Sequence, residues 1–173
     1  GEWGLAMRLR GTPNFPRNMV LGCIQNDTLI YEYGREVARQ CRELGVQVNF
    51  APVADVNINP KNPVINTRSF GESPFNVANK VVAYSKGLED GGVLSVSKHF
   101  PGHGDTDVDS HKALLPCTTT VHAWTVWNFI PSRKWYVPDW GCHGRPSASA
   151  GAGPGRGDSF FLVAECGDRV VEG

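Results

Sequence analysis

The sequence predicts an α/β fold built on a parallel sheet, and three observations carry that prediction. Two segments repeat their apolar residues with helical period, at 29–44 and 74–88. Each is followed by a short apolar run of strand character, at 46–55 and 92–97. The order helix, strand, loop, helix, strand is that of crossover units in a parallel sheet. The second run then leads into fourteen residues, Lys98 to His111, that hold three histidines, three aspartates and a lysine. α/β enzymes place their chemistry where buried strands end in Gly, Pro and ionisable groups.

Each element has a local cause. Leu29, Ile30, Tyr33, Val37, Cys41 and Leu44 fall on one helical face, with Asp27 or Thr28 as N-cap and Gly45 as the stop. Val46 to Asp55 reads as a buried strand that ends in a polar loop. Asn57 to Ser73 is rich in Asn and Pro and reads as a long ordered loop, a kind that in compact domains is more often functional than idle. Ser73-Pro74 opens the second helix with Pro at its first position. Val77, Val81, Tyr84, Ser85 and Leu88 make its inner face, and Gly91-Gly92 ends it.

The 173 residues can form one self-supporting core, and the formal net charge of zero favours neither nucleic acid nor an anionic membrane. No apolar run reaches spanning length. Gly1 to Gly4 has no initiator Met and reads as the interior of something longer. Cysteines 23, 41, 117, 142 and 166 are odd in number and lack paired metal spacing, which leaves the redox compartment open. Cys41 on its helical face is a small buried residue.

Two metal readings fail on spacing. Asp105-Thr106-Asp107-Val108-Asp109 begins like a calcium loop, but Ser110 stands where Gly is needed and Pro116 where a bidentate Glu is needed. His99 and His103 are four apart like a zinc-helix pair, yet Pro101, Gly102 and Gly104 forbid a helix there. No metal or organic cofactor is expected.

Lys98-His99-Phe100-Pro101-Gly102-His103-Gly104 followed by Asp109-Ser110-His111 resembles the signature of family 3 glycoside hydrolases, in their β-N-acetylglucosaminidase branch. Three further segments resemble the family in the same order. Glu2-Trp3-Gly4-Leu5-Ala6-Met7-Arg8 is similar to a loop after an early barrel strand, in a form seen in Bacteroidetes-type members. Asn49 to Asn57 resembles its "APV-x-DV" strand, and Arg68-Ser69-Phe70-Gly71 its "RSFG" loop. The resemblance implies an incomplete (β/α)8 TIM barrel over residues 1–115, about three to four of the eight strand-helix units. Residues 116–173 are expected to be an irregular tail.

The resemblance also implies roles. Asp109 and His111 match an acid/base dyad for a retaining glycosidase. An imidazole can give a proton to the leaving oxygen and later take one from water, and a neighbouring carboxylate fixes its tautomer. A loop Asp and His facing solvent would have the same spacing. Lys98 and His99, at a strand end, would bind sugar hydroxyls together with Arg68. His103 is either a loop-shaping hydrogen-bonder or a substrate contact. Asp55 is a sugar contact or a support for one, although a strand-end Asp also caps turns. The implied substrate is a terminal β-linked N-acetylglucosaminide, with peptidoglycan as one source. The family's nucleophile, an aspartate on a later strand, has no counterpart between Leu115 and Gly173. A β-glucosidase of the same family, or a non-catalytic sugar-binding or misfolded remnant, are the alternatives. The compartment is not readable from the sequence and stays open between a bacterial periplasm and cytoplasm.

The tail has its own signature. Four of the five tryptophans lie in it, residues 141–158 are rich in Gly, Ser, Pro and Arg, and no period survives. Arg156-Gly157-Asp158 spells an adhesion tripeptide, a cheap match in such sequence. Codons for His122 to Trp140, read from the third base of His122, permit Arg-Leu-Asp-Ser-Val-Glu-Leu-Tyr-Pro-Phe-Lys-Glu-Val-Val-Arg-Ala-Gly-Leu-Gly, a family-like continuation. Because Trp has the single codon TGG, Trp127-Asn128 must yield Glu and Trp135-Tyr136 must yield Val in that frame. The expectation is an out-of-frame translation from about residue 116. Sequencing the encoding DNA checks it: the shifted frame should read as that string, and a frame that does not read so removes the idea.

Overall fold

The computed structural model describes residues 1–100, 102–107 and 162–165. Among these, the helices are α1 (Asn18–Leu21), α2 (Asp27–Glu43) and α3 (Pro74–Asp90), with 3-10 turns at Leu5–Met7 and Asn66–Arg68. The strands are β1 (Val48–Asn49), β2 (Leu94–Phe100) and β3 (Leu162–Glu165). They form one parallel sheet in the order β1-β2-β3, with α3 in the connection between β1 and β2. No helix among the described residues is long and apolar enough to cross a membrane.

Helix α2 starts earlier than its apolar pattern. Asn26 is the N-cap, and its Oδ1 accepts the Thr28 N–H at 3.0 Å. Ile30, Tyr33, Val37 and Cys41 are buried as expected, but Leu29 and Leu44 at the two ends of the stripe are exposed. Helix α3 has Ser73 as N-cap and Pro74 in its first turn, and it buries all five residues of its expected face.

The first strand is much shorter than its apolar run. Val48 pairs with Leu94 and Asn49 with Ser95, and the ladder then stops. Pro52 has no N–H to donate, so contact resumes only as an isolated bridge between Val53 and Lys98. There the Lys98 N–H donates to Pro52 O at 3.1 Å, and the Ala54 N–H donates to Lys98 O at 2.6 Å. Strand β3, with Val96 opposite Leu162 and Lys98 opposite Ala164, lies where sequence pattern predicts no regular element.

The core lies between α2, α3 and the sheet. Tyr33 stacks on Tyr84 with centroids 4.9 Å apart, and Phe70 and Phe15 flank the pair. The two long helices can approach because small residues meet at their crossing. A Cβ on Gly34 would lie 2.4 Å from Tyr84 O, and one on Gly87 would lie 2.2 Å from Tyr31 O. Lys80, almost fully buried on α3, pairs with Asp27 at the start of α2.

The crossing allows no methyl group without displacing backbone. Gly87→Ala should lower stability by about 1–3 kcal/mol, read as a reduced urea midpoint. Lys86→Ala, at the exposed position beside it, should stay within about 0.5 kcal/mol of the parent.

Candidate active site

At the C-terminal end of β2 two buried carboxylates each gather several donors. Glu2 and Asp55 have side chains only 6% and 0% exposed. A carboxylate so far from water must be paired or fully hydrogen-bonded.

Glu2 takes both nearby cations. Arg68 donates to it in a fork, Nε to Oε2 at 2.9 Å and Nη2 to Oε1 at 2.7 Å. Lys98 Nζ lies 2.6 Å from the same Oε1. Sixty-six residues separate Glu2 from Arg68, so the fold must bring them together. Tyr84 Oη donates to Gly1 O at 3.2 Å, Asn49 Nδ2 donates to the same oxygen at 3.2 Å, and Arg17 lies over the Trp3 ring at 3.8 Å. Arg68 is held in turn by Asn18 Nδ2, which donates to its carbonyl at 2.8 Å. Burial pushes the Glu2 carboxyl up, and the hydrogen bonds from Arg68 and then Lys98 outweigh it, leaving the group at about 2. The same bond to Glu2 raises the Arg68 guanidinium further.

Asp55 organises the other half. Its Oδ2 accepts the His99 backbone N–H at 3.2 Å and lies 2.6 Å from His99 Nδ1, while its Oδ1 accepts the His103 N–H at 2.7 Å. With both carboxylate oxygens acting as acceptors, Nδ1 supplies the proton of the ring bond, and Nε2 is left as the other polar atom of His99. The Lys98–His99 peptide bond is cis. Arg68, Lys98 and His99 side chains remain 23, 16 and 18% exposed, so their heads reach solvent from this buried base.

The Asn-rich loop fastens the segment after β2. Asn62 Oδ1 accepts the N–H groups of Val64 and Ile65, and its Nδ2 donates to His103 O at 2.6 Å. Asn59 Nδ2 donates to the carbonyls of Asp105 and Thr106, both at 3.2 Å. Gly104 lies flat on Val56, where a Cβ would come within 1.7 Å of the carbonyl oxygen. His103 is buried, with Nδ1 2.8 Å from Thr106 Oγ1 and Nε2 without a hydrogen-bond partner.

Of the residues singled out from sequence, Arg68, Lys98, His99, Asp55 and His103 therefore come together. Asp109 and His111 lie outside the described residues. Glu2 was missed as a functional residue. Its only signal was its place in a matched segment, beside Trp3-Gly4. Among the described residues no three His, Cys, Asp or Glu side chains are grouped to hold a metal ion.

This constellation sits on segments that other proteins share. The model of the glycosyl hydrolase family 3 N-terminal domain matches residues 1–123. The chain belongs to this family. The family 3 N-terminal domain is a TIM-barrel-like α/β fold, of which the described residues form a part. Beta-hexosaminidase A of Pseudoalteromonas piscicida is 48% identical over 104 residues, covering 58% of this chain and 17% of the relative. Beta-hexosaminidase LpqI of Mycobacterium tuberculosis is 49% identical over 82 residues, 47% of this chain and 21% of the relative. The solved family 3 β-N-acetylglucosaminidase from a Paenibacillus species superposes with a TM-score of 0.61 at 44% identity, over 64% of this chain and 21% of that one. The chain thus spans about a fifth of the length of these relatives.

The depressed Glu2 carboxyl makes stability depend on pH. Its folded value lies below the ordinary 4.5, so the stabilisation is complete above that pH and is lost as pH falls toward about 2. The term is on the order of 3 kcal/mol. Urea midpoints measured from pH 6 down to pH 3 should fall, and Glu2→Gln should flatten that dependence.

Proposed function

We propose that the chain is the sugar-gripping part of a glycoside hydrolase that removes terminal β-linked N-acetylglucosamine. The observation that carries this reading is the set of donors held by the two buried carboxylates, Arg68 and Lys98 on Glu2 and His99 on Asp55. A pyranose ring offers several hydroxyls in fixed directions, and a rigid set of single donors and acceptors at a strand end suits it. In this reading Asp55 holds His99 in one tautomer, and His103 shapes the loop rather than touching the sugar.

Chemistry follows from the segment beyond. His111, oriented by Asp109, protonates the leaving oxygen as the nucleophile of the whole enzyme attacks the anomeric carbon. The resulting glycosyl-enzyme is hydrolysed when His111 takes a proton from water, which gives net retention. That nucleophile, an aspartate on a later barrel strand, is not carried by this chain. Residues 1–115 supply about three to four of eight barrel units, and residues 116–173 are the out-of-frame tail. A peptidoglycan fragment is the natural source of the sugar in this scheme.

A second reading has a specific support. A relative from Cellulomonas fimi, 29% identical over 123 residues, is named Beta-N-acetylglucosaminidase/beta-glucosidase, so the same grip can be read as one for glucose.

The purified chain should not turn over a chromogenic β-N-acetylglucosaminide or β-glucoside. Turnover abolished by His111→Ala would overturn that. In an NMR titration the chain should bind N-acetylglucosamine, and Arg68→Ala should weaken binding about tenfold or more, the loss of a charge-assisted hydrogen bond. Tighter binding of glucose would favour the second reading, and no binding of either sugar would sink the first.

A further inference from the structure

We propose that Glu2 determines the charge class of the ligand: by cancelling one of the two cations it commits Arg68 and Lys98 to a neutral, hydroxyl-bearing ligand and against an anionic one. The proposal rests on the sugar reading of the site and adds a specificity residue to it.

Two neighbouring cations would by themselves suit a phosphate or a carboxylate, which Arg engages as a fork. Here the Nε/Nη2 fork is already taken, because both nitrogens donate to Glu2. Arg68 Nη1 donates to Val64 O at 3.1 Å. Three of the five guanidinium donors are therefore used, and one N–H on Nη1 and one on Nη2 remain. Lys98 shares the same Glu2 oxygen with Arg68. Asp55 adds a second buried negative charge close enough for Arg68 to feel it. The formal charges of Arg68, Lys98, Glu2 and Asp55 sum to zero.

A neutral cluster gives an anion no net attraction to offset its loss of water, whereas single donors are what sugar hydroxyls require. Removing the Glu2 charge frees the Arg68 fork and leaves an excess of positive charge in a partly buried place. Anion preference should then appear without any change in the cations themselves.

The experiment compares the chain's affinity for N-acetylglucosamine with that for N-acetylglucosamine 6-phosphate at low salt, by NMR titration. The parent chain should prefer the neutral sugar. Glu2→Gln should move the affinity ratio at least tenfold toward the phosphate, and Glu2→Asp should leave it near the parent value. A ratio that stays within twofold in folded Glu2→Gln, or a parent chain that already prefers the phosphate, overturns the proposal. If circular dichroism finds Glu2→Gln unfolded, Lys98→Met decides instead. It should shift the ratio at least threefold the opposite way, and an unmoved ratio overturns the proposal. A parent chain that binds neither sugar fails the sugar reading itself, a result distinct from sugar binding with an unmoved ratio.

Discussion

A carboxylate removed from water has to be compensated, and at this site that requirement is met twice. Glu2 and Asp55 cannot stay buried unless donors are brought to them, and those donors come from distant parts of the chain. Arg68 arrives on a 3-10 turn, Lys98 and His99 on the end of β2, and the backbone of His103 on the loop beyond. The rest of the described fold can be read as what delivers them. The aromatic stack of Tyr33 and Tyr84 supports the opening segment from below, and the close crossing of α2 and α3 holds Tyr84 in place.

Electrostatics and rigidity are linked here. An exposed Arg or Lys samples many rotamers and is screened by water, so its charge directs little. Tying both to one buried oxygen pair removes that freedom while leaving the heads partly open. Asp55 does the same for a ring, using two backbone N–H groups as well as the imidazole. The result is a group of donors whose positions are settled before any ligand arrives, the condition under which weak polar contacts become selective.

Much of this architecture was legible from the residues because it repeats. The faces of α2 and α3 follow the helical period, and Ser73-Pro74 and Gly91-Gly92 mark where α3 begins and ends. What repeats less is less legible. Asn26 rather than Asp27 caps α2, since capping depends on one side-chain oxygen and not on a pattern. The apolar run at 46–55 looked like one strand, but a single proline without an N–H divides it into a two-residue ladder and a bridge. Strand β3 carries no alternation at all. The motif residues Arg68, Lys98 and His99 were found through resemblance, whereas Glu2 was not assigned a role. Its importance comes from a contact across the whole described fold, and no local spacing encodes a partner so far away in the chain.

The flat contact of Gly104 on Val56 bears on how this sequence can change. Two backbones lie against each other there with no room for a side chain, so the strand end and the loop after β2 form one surface although they are far apart in sequence. Neither can drift independently. A shift in the Asp55 strand displaces the loop, and a bulkier residue in the loop pushes the Asp55 carboxylate away from His99. Lineages that alter one segment are therefore expected to alter the other with it, and covariation between them would record a mechanical coupling rather than a shared chemical role.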